Sequence, residues 1–84
     1  MNFKDKVVVL TGGAKGIGKC IKEMFEKQGA YVCTLDLLEN DYFKGNVGNK
    51  EDLIAFTNKV ISDYGRVDYI INNAISQVLI LLVS

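Results

Sequence analysis

A chain of 84 residues has room for one domain and no second, so residues 1–84 are read as a single unit. Folding at this size buries only about 60–65% of the surface of the unfolded chain, and ten acidic residues balance ten basic ones. Zero net charge gives no electrostatic basis for nucleic acid or an anionic membrane as a partner, and it removes the repulsion that keeps small domains apart.

Residues 1–5 carry no basic stretch leading into an apolar core, so no signal peptide is read. The longest apolar run, residues 78–83, is six residues long, against about 20 for a helix that spans hydrocarbon. Cys20 and Cys33 stand apart and histidine is absent. That pattern predicts no metal site, and reduced thiols in a cytoplasmic protein.

In chain order, residues 6–11 (KVVVLT) form a continuous β-branched run that suits a strand buried on both faces. After a glycine-rich turn, Ile17, Cys20, Ile21, Met24 and Phe25 recur at helical spacing as one apolar stripe, and Gly29 stands where a left-handed cap would end that helix. Residues 30–35 predict a second strand with Asp36 at its carboxyl end. Residues 37–41 predict a loop, and 42–47 a short third strand. Asn49 can cap the next helix, with Asp52 as a weak capping-box partner. Leu53, Phe56, Val60, Ile61 and Tyr64 carry its stripe, with Gly65 past its end. Residues 67–72 predict a fourth strand and residues 78–83 a fifth apolar segment.

Helices between strands argue for an α/β domain with a mainly parallel sheet. Right-handed crossovers order the strands 3-2-1-4 with helices on both faces, a Rossmann-like sheet. About five residues separate the fourth strand from the last apolar segment, too few for a parallel crossover. That segment therefore either returns as an antiparallel C-terminal strand or pairs with another molecule. A homodimer, or other self-association through this strand, is the expected assembly.

The informative stretch is Thr11-Gly-Gly-Ala-Lys-Gly-Ile-Gly18, between the first strand and the first helix. Gly12 permits the tight turn, Gly16 lets backbone approach a pyrophosphate, and Gly18 lets helix and sheet pack closely. The helix N-terminus then offers amides and a favourable dipole to phosphate. Asp36 follows Gly18 by 18 residues. A carboxylate there accepts the hydroxyl hydrogens of an adenosine ribose and repels a 2′-phosphate. Lys15 pulls the other way, toward NADP, but repulsion between fixed negative charges at close range is the stronger effect, so NAD is the expected cofactor.

Thr11-Gly12-x-x-x-Gly16-Ile17-Gly18, together with Asn72-Asn73-Ala74 after a fourth strand, resembles the short-chain dehydrogenase/reductase family over about residues 4–74. The resemblance implies that Gly12, Gly16, Ile17 and Gly18 line the pyrophosphate and that Asp36 binds the adenine ribose. It also implies that Asn46 and Val47 lie near the adenine ring, where the family usually has Asp-Val, and that Asn72 borders the adenosine. Ile75 stands where the family's motif has glycine.

The family's catalytic Ser and Tyr-x-x-x-Lys lie further downstream. The residues four beyond Tyr31, Tyr42, Tyr64 and Tyr69 are Leu35, Asn46, Asp68 and Asn73, none of them lysine. Ser84 has no such partner. The family's acid/base pair is therefore absent, and the chain reads as the dinucleotide-binding half of an oxidoreductase, truncated and without turnover of its own. The alternatives are a non-enzymatic dinucleotide-binding or protein-interaction module, and an enzyme of unrelated mechanism on the same fold. The second of these lacks histidine or clustered acids to carry it.

Overall fold

Strand β1, Val7–Thr11, is buried at every position. The computed structural model, which describes residues 3–73, shows why the run carries no polar alternation. Val7 and Val9 point to one face of the sheet, into a core with Cys33, Leu35, Phe56 and Val60. Val8 and Leu10 point to the other, with Ala30 and Val32 and the half-buried Phe3, Ile21, Phe25 and Ile71. A strand covered on both faces has no solvated side on which a polar residue would gain.

Helix α1, Gly16–Lys27, covers the Val8 face. Its stripe is narrower than the sequence predicts. Ile21 and Phe25 pack on the sheet, whereas Ile17 (75% exposed), Cys20 and Met24 (63%) face away. The only buried residue of α1 is Gly18. The line of closest approach therefore runs Gly18–Ile21–Phe25, and the other three lie on the helix flank. α1 ends as expected near Gly29 (φ +88°). Gly29 N–H donates to Glu26 O and Ala30 N–H to Phe25 O, at 3.0 and 3.1 Å. Together these close the last turn in a Schellman motif.

Strand β2, Tyr31–Asp36, pairs with β1 in parallel, Val9 opposite Cys33. Strand β3 is only Phe43–Lys44, shorter than the predicted 42–47. At its start Asn40 Oδ1 accepts both the Tyr42 and Phe43 amides. Beyond it Asn46 N–H donates to Asp52 Oδ2 at 2.8 Å. Asn40 thus takes the Phe43 amide, which a longer ladder would direct toward β2 as Gly45 N–H is directed to Asp36 O. Helix α2, Lys50–Tyr64, begins with Asn49 Oδ1 accepting Asp52 N–H at 2.9 Å, the predicted cap. The reciprocal half of a capping box does not form, because the Asp52 carboxylate is on Asn46 and Asn49 N–H goes to Asn46 O. Phe56 and Val60 are its buried residues; Leu53, Ile61 and Tyr64 keep substantial exposure.

Strand β4, Tyr69–Asn72, joins β1 with Val9 opposite Ile70. The sheet order is β3-β2-β1-β4, all parallel, with α1 and α2 on opposite faces, as the sequence predicts. The expected antiparallel C-terminal strand and the 78–83 segment lie outside the described residues.

Candidate functional site

The glycine turn leaves the carboxyl end of β1, an inner strand between β2 and β4. Gly12 has φ +74°, which only glycine adopts without strain, and its N–H donates to Leu35 O at 2.9 Å. A Cβ on Gly18 would collide with the Gly12 carbonyl, so the helix could not sit this close to the turn with any larger residue. Gly16 is the opposite case: φ is +63° and nothing lies within 4 Å of where its Cβ would be. The turn is therefore tight against the protein at Gly18 and open outward at Gly16. Lys15, at the N-cap of α1, is exposed and makes no side-chain cap, and Ile17 is exposed beside it.

Gly13 is constrained although the sequence reading gave it no role. A Cβ there would stand 2.9 Å from Leu10 Cδ2 and from the Thr34 side chain. The Thr34 hydroxyl beneath it is buried and has no hydrogen-bond partner among the described residues.

Asp36 reaches this turn from the end of β2. Its Oδ2 accepts the Ala14 N–H at 3.0 Å and its Oδ1 the Leu38 N–H at 2.9 Å. The half-buried carboxylate is thus fixed by two amides, while each oxygen keeps lone-pair capacity for a hydroxyl donor. Asp36, Leu35, Leu37, Gly45 and Val47 line a pocket of about 110 Å³. Val47 therefore joins Asp36, and its side chain also packs on the core. Asn46, between the pocket residues Gly45 and Val47, accepts the Gly48 N–H on its Oδ1 at 2.8 Å, closing a turn of its own.

Asn72 sits opposite Thr11 in register and is exposed. Its neighbour Asn73 makes the contact with the turn, donating from Nδ2 to Gly12 O at 3.2 Å. The sequence carries half of this signal. Successive strand residues face opposite ways, so of two adjacent asparagines beside Thr11 and Gly12 only one can face the turn.

Tyr42 and Lys59 do meet, with Lys59 Nζ 3.7 Å from the ring centroid. Burial, then the hydrogen bond to Asp63, pushes this phenol far above its ordinary range, the reverse of what an acid/base tyrosine needs. Among the described residues no helix is long and apolar enough to cross a membrane.

Comparison with known proteins gives consistent relatives. A family model described as short chain dehydrogenase matches residues 6–79. Tropinone reductase-like 1 of Erythroxylum coca is 33% identical over 85 residues, covering 86% of this chain and 31% of the relative. An NAD-dependent glycerol dehydrogenase of Listeria innocua is 54% identical over 39 residues, 46% of this chain and 15% of that protein. The ligand-free aldohexose dehydrogenase of Thermoplasma acidophilum superposes with a TM-score of 0.78 at 32% identity, covering 86% of this chain and 30% of that one. The chain spans about a third of the length of the curated relatives it matches over most of its own length.

Proposed function

The chain belongs to the short-chain dehydrogenase family, and on that premise we propose that residues 7–73 hold the adenosine and pyrophosphate of NAD(H). The observation that carries this reading is the Asp36 carboxylate, held by the Ala14 and Leu38 amides beside a pocket shared with Val47. A carboxylate so held is ready for two ribose hydroxyls and opposes a 2′-phosphate, which favours NAD over NADP. Gly16 leaves backbone accessible to a pyrophosphate, and the uncapped start of α1 supplies amides and dipole. Gly12, Gly18 and Asn73 hold the turn in shape, and Lys15 and Ile17 flank its open side. The residues present therefore fit the group. Bound NAD(H) would supply hydride transfer; this chain's residues supply binding and orientation.

The 84-residue chain on this reading binds without turning over, since no Tyr-x-x-x-Lys occurs in it. With only the adenosine side held, the expected affinity is about −4 to −6 kcal/mol, millimolar to high micromolar. Calorimetric titration with NAD and NADP tests the reading. Heat from NAD that saturates, with weaker NADP binding, supports it; no saturable heat from either removes it.

A second reading is self-association, with a homodimer as its simplest form. Ile70, opposite Val9 and so on the α2 side of the sheet, is 66% exposed, and Ile61 of α2 is exposed nearby in the chain order. Sedimentation of the full chain at high micromolar concentration decides between monomer and dimer.

A further inference from the structure

Two neighbouring side chains of the loop over residues 37–42 leave it in opposite directions. Asp41 Oδ2 meets Lys22 Nζ of α1 at 2.9 Å. Tyr42 donates its hydroxyl hydrogen to Asp63 Oδ2 of α2 at 2.7 Å. The Tyr42 ring stands edge-on to Phe56, and Lys59 Nζ binds the same Asp63 oxygen at 3.1 Å. Because α1 and α2 cover opposite faces of the sheet, the loop is fastened from both sides.

The loop is stiff between its fastenings. Asn40 Nδ2 donates to Leu38 O and Phe43 O at 2.9 and 3.0 Å, and its Oδ1 accepts two amides. Its first turn ends on Asp36 through Leu38 N–H. On one side Leu37 lines the pocket with Asp36 and Val47. On the other, Asn40 and Asp41 line a second hollow of about 110 Å³ with Gly13 and Ala14 of the glycine turn. A displacement of this loop would therefore move one wall of the pocket and one of the two amides that aim the Asp36 carboxylate.

We propose that Asp41 and Tyr42 are positioning residues of the adenine-side pocket, clamping the 37–42 loop to α1 and α2 so that Leu37 and the Asp36 carboxylate stay in place for adenosine. This rests on the cofactor reading above. Neither side chain needs to touch the nucleotide; both act through Asp36 and Leu37. The Tyr42 phenol, pushed up by burial and then by Asp63, remains a donor throughout the neutral range, so the α2 fastening does not titrate on that side.

The test uses the full 84-residue chain and two variants, Tyr42→Phe, which keeps the ring, and Asp41→Asn, which keeps the shape. Hydrogen exchange is followed by NMR without ligand, and AMP and NAD are titrated separately. One lost hydrogen bond corresponds to about a fivefold change, and an exposed ion pair to about two- to threefold. The expected result is a loss of protection of that size at the Leu38, Tyr42 and Phe43 amides, while the Val8, Leu10 and Val32 amides, which exchange through global opening, lose no more than that factor. AMP and NAD affinities should fall together by a similar factor. Either unchanged loop protection or a loosened loop with undiminished AMP affinity would overturn the clamp. A wild-type chain that binds neither nucleotide sinks the cofactor reading itself, and the clamp's role in binding with it. A wild type that binds, with variants that bind equally well, sinks only the clamp.

Discussion

Asp68 Oδ2 accepts the backbone N–H of Val7 at 2.8 Å, tying the start of β4 to the start of β1 across 61 residues of sequence. The Val7 carbonyl in turn accepts Asp68 N–H at 2.9 Å. Arg66 grips the same carboxylate through Nε and a terminal nitrogen. The Asp68 carboxyl is held below its ordinary range first by Arg66 and then by the Val7 amide, and Asp63 is lowered likewise by Tyr42 and then Lys59.

A carboxyl whose folded pKa is depressed stabilises the fold fully above its unfolded value, and that stability is lost as pH falls through the folded value. Acid destabilisation is therefore expected to begin near pH 4, the ordinary aspartate range, and to deepen below it. Asp68→Asn should be less stable at pH 7 and lose part of this acid slope. Urea midpoints at half-unit steps from pH 7 to 3 measure both. An identical slope in the variant would show that the Asp68 carboxylate carries none of it.

Asp36→Ala removes the acceptor for Ala14 and Leu38 at once. Two effects are expected together: a loss of about 0.5–1.5 kcal/mol of stability per amide contact removed, and about a tenfold loss of NAD affinity, or 1.4 kcal/mol. Discrimination against NADP should relax in parallel. If denaturation shifts but neither nucleotide affinity does, Asp36 braces the turn and does not meet the ribose.

Gly18→Ala drives a methyl group into the Gly12 carbonyl. Backbone cannot yield there as a side-chain end can, so α1 must move off the sheet, taking Ile21 and Phe25 out of contact. Overpacking of this kind costs about 1–3 kcal/mol or more. Gly16→Ala meets no atom, and its cost is confined to the left-handed backbone, about 1–2 kcal/mol. Thermal melts of the two variants should rank Gly18→Ala as the worse; the reverse order would contradict the packing described.

The chain alone should give no oxidation or reduction of an alcohol, aldehyde or ketone panel. Absorbance of the reduced cofactor, followed for hours with pure protein, is the measurement. Turnover that persists through purification and disappears in Tyr64→Phe or Tyr69→Phe would require a mechanism the family does not use.

Sheet order and helix placement were legible because β1 and β2 read as unbroken apolar runs and the helices as 3.6-residue patterns. What the pattern does not carry is which flank of a helix meets the sheet: Ile17 and Met24 belong to the α1 stripe by spacing, yet the contact line runs through Gly18, where a residue without a side chain allows the closest approach. The candidate site was legible to the same depth. Asp36 and the glycines follow from the order of strand, turn and helix. The directions of Asn46 and Asn73 do not, since each depends on a local turn or strand phase that shifts with one residue. The length of β3 was overread for a related reason, because Asn40 competes with the ladder for the Phe43 amide.

Of the four described strands, β1 is made first. β1 lies between β2 and β4, so a nascent chain presents it long before both neighbours exist. At about 5–20 residues per second, Asn72 is added to the chain about 2–7 s after Asp36. Through that interval the β1–β2 pair can already have formed, while the N–H and C=O groups of Val7–Thr11 on the β4 side remain open to water or to another chain. The hazardous moment in this protein's synthesis is thus set by where its first strand ends up, and an early-binding chaperone would have most to protect on that one margin.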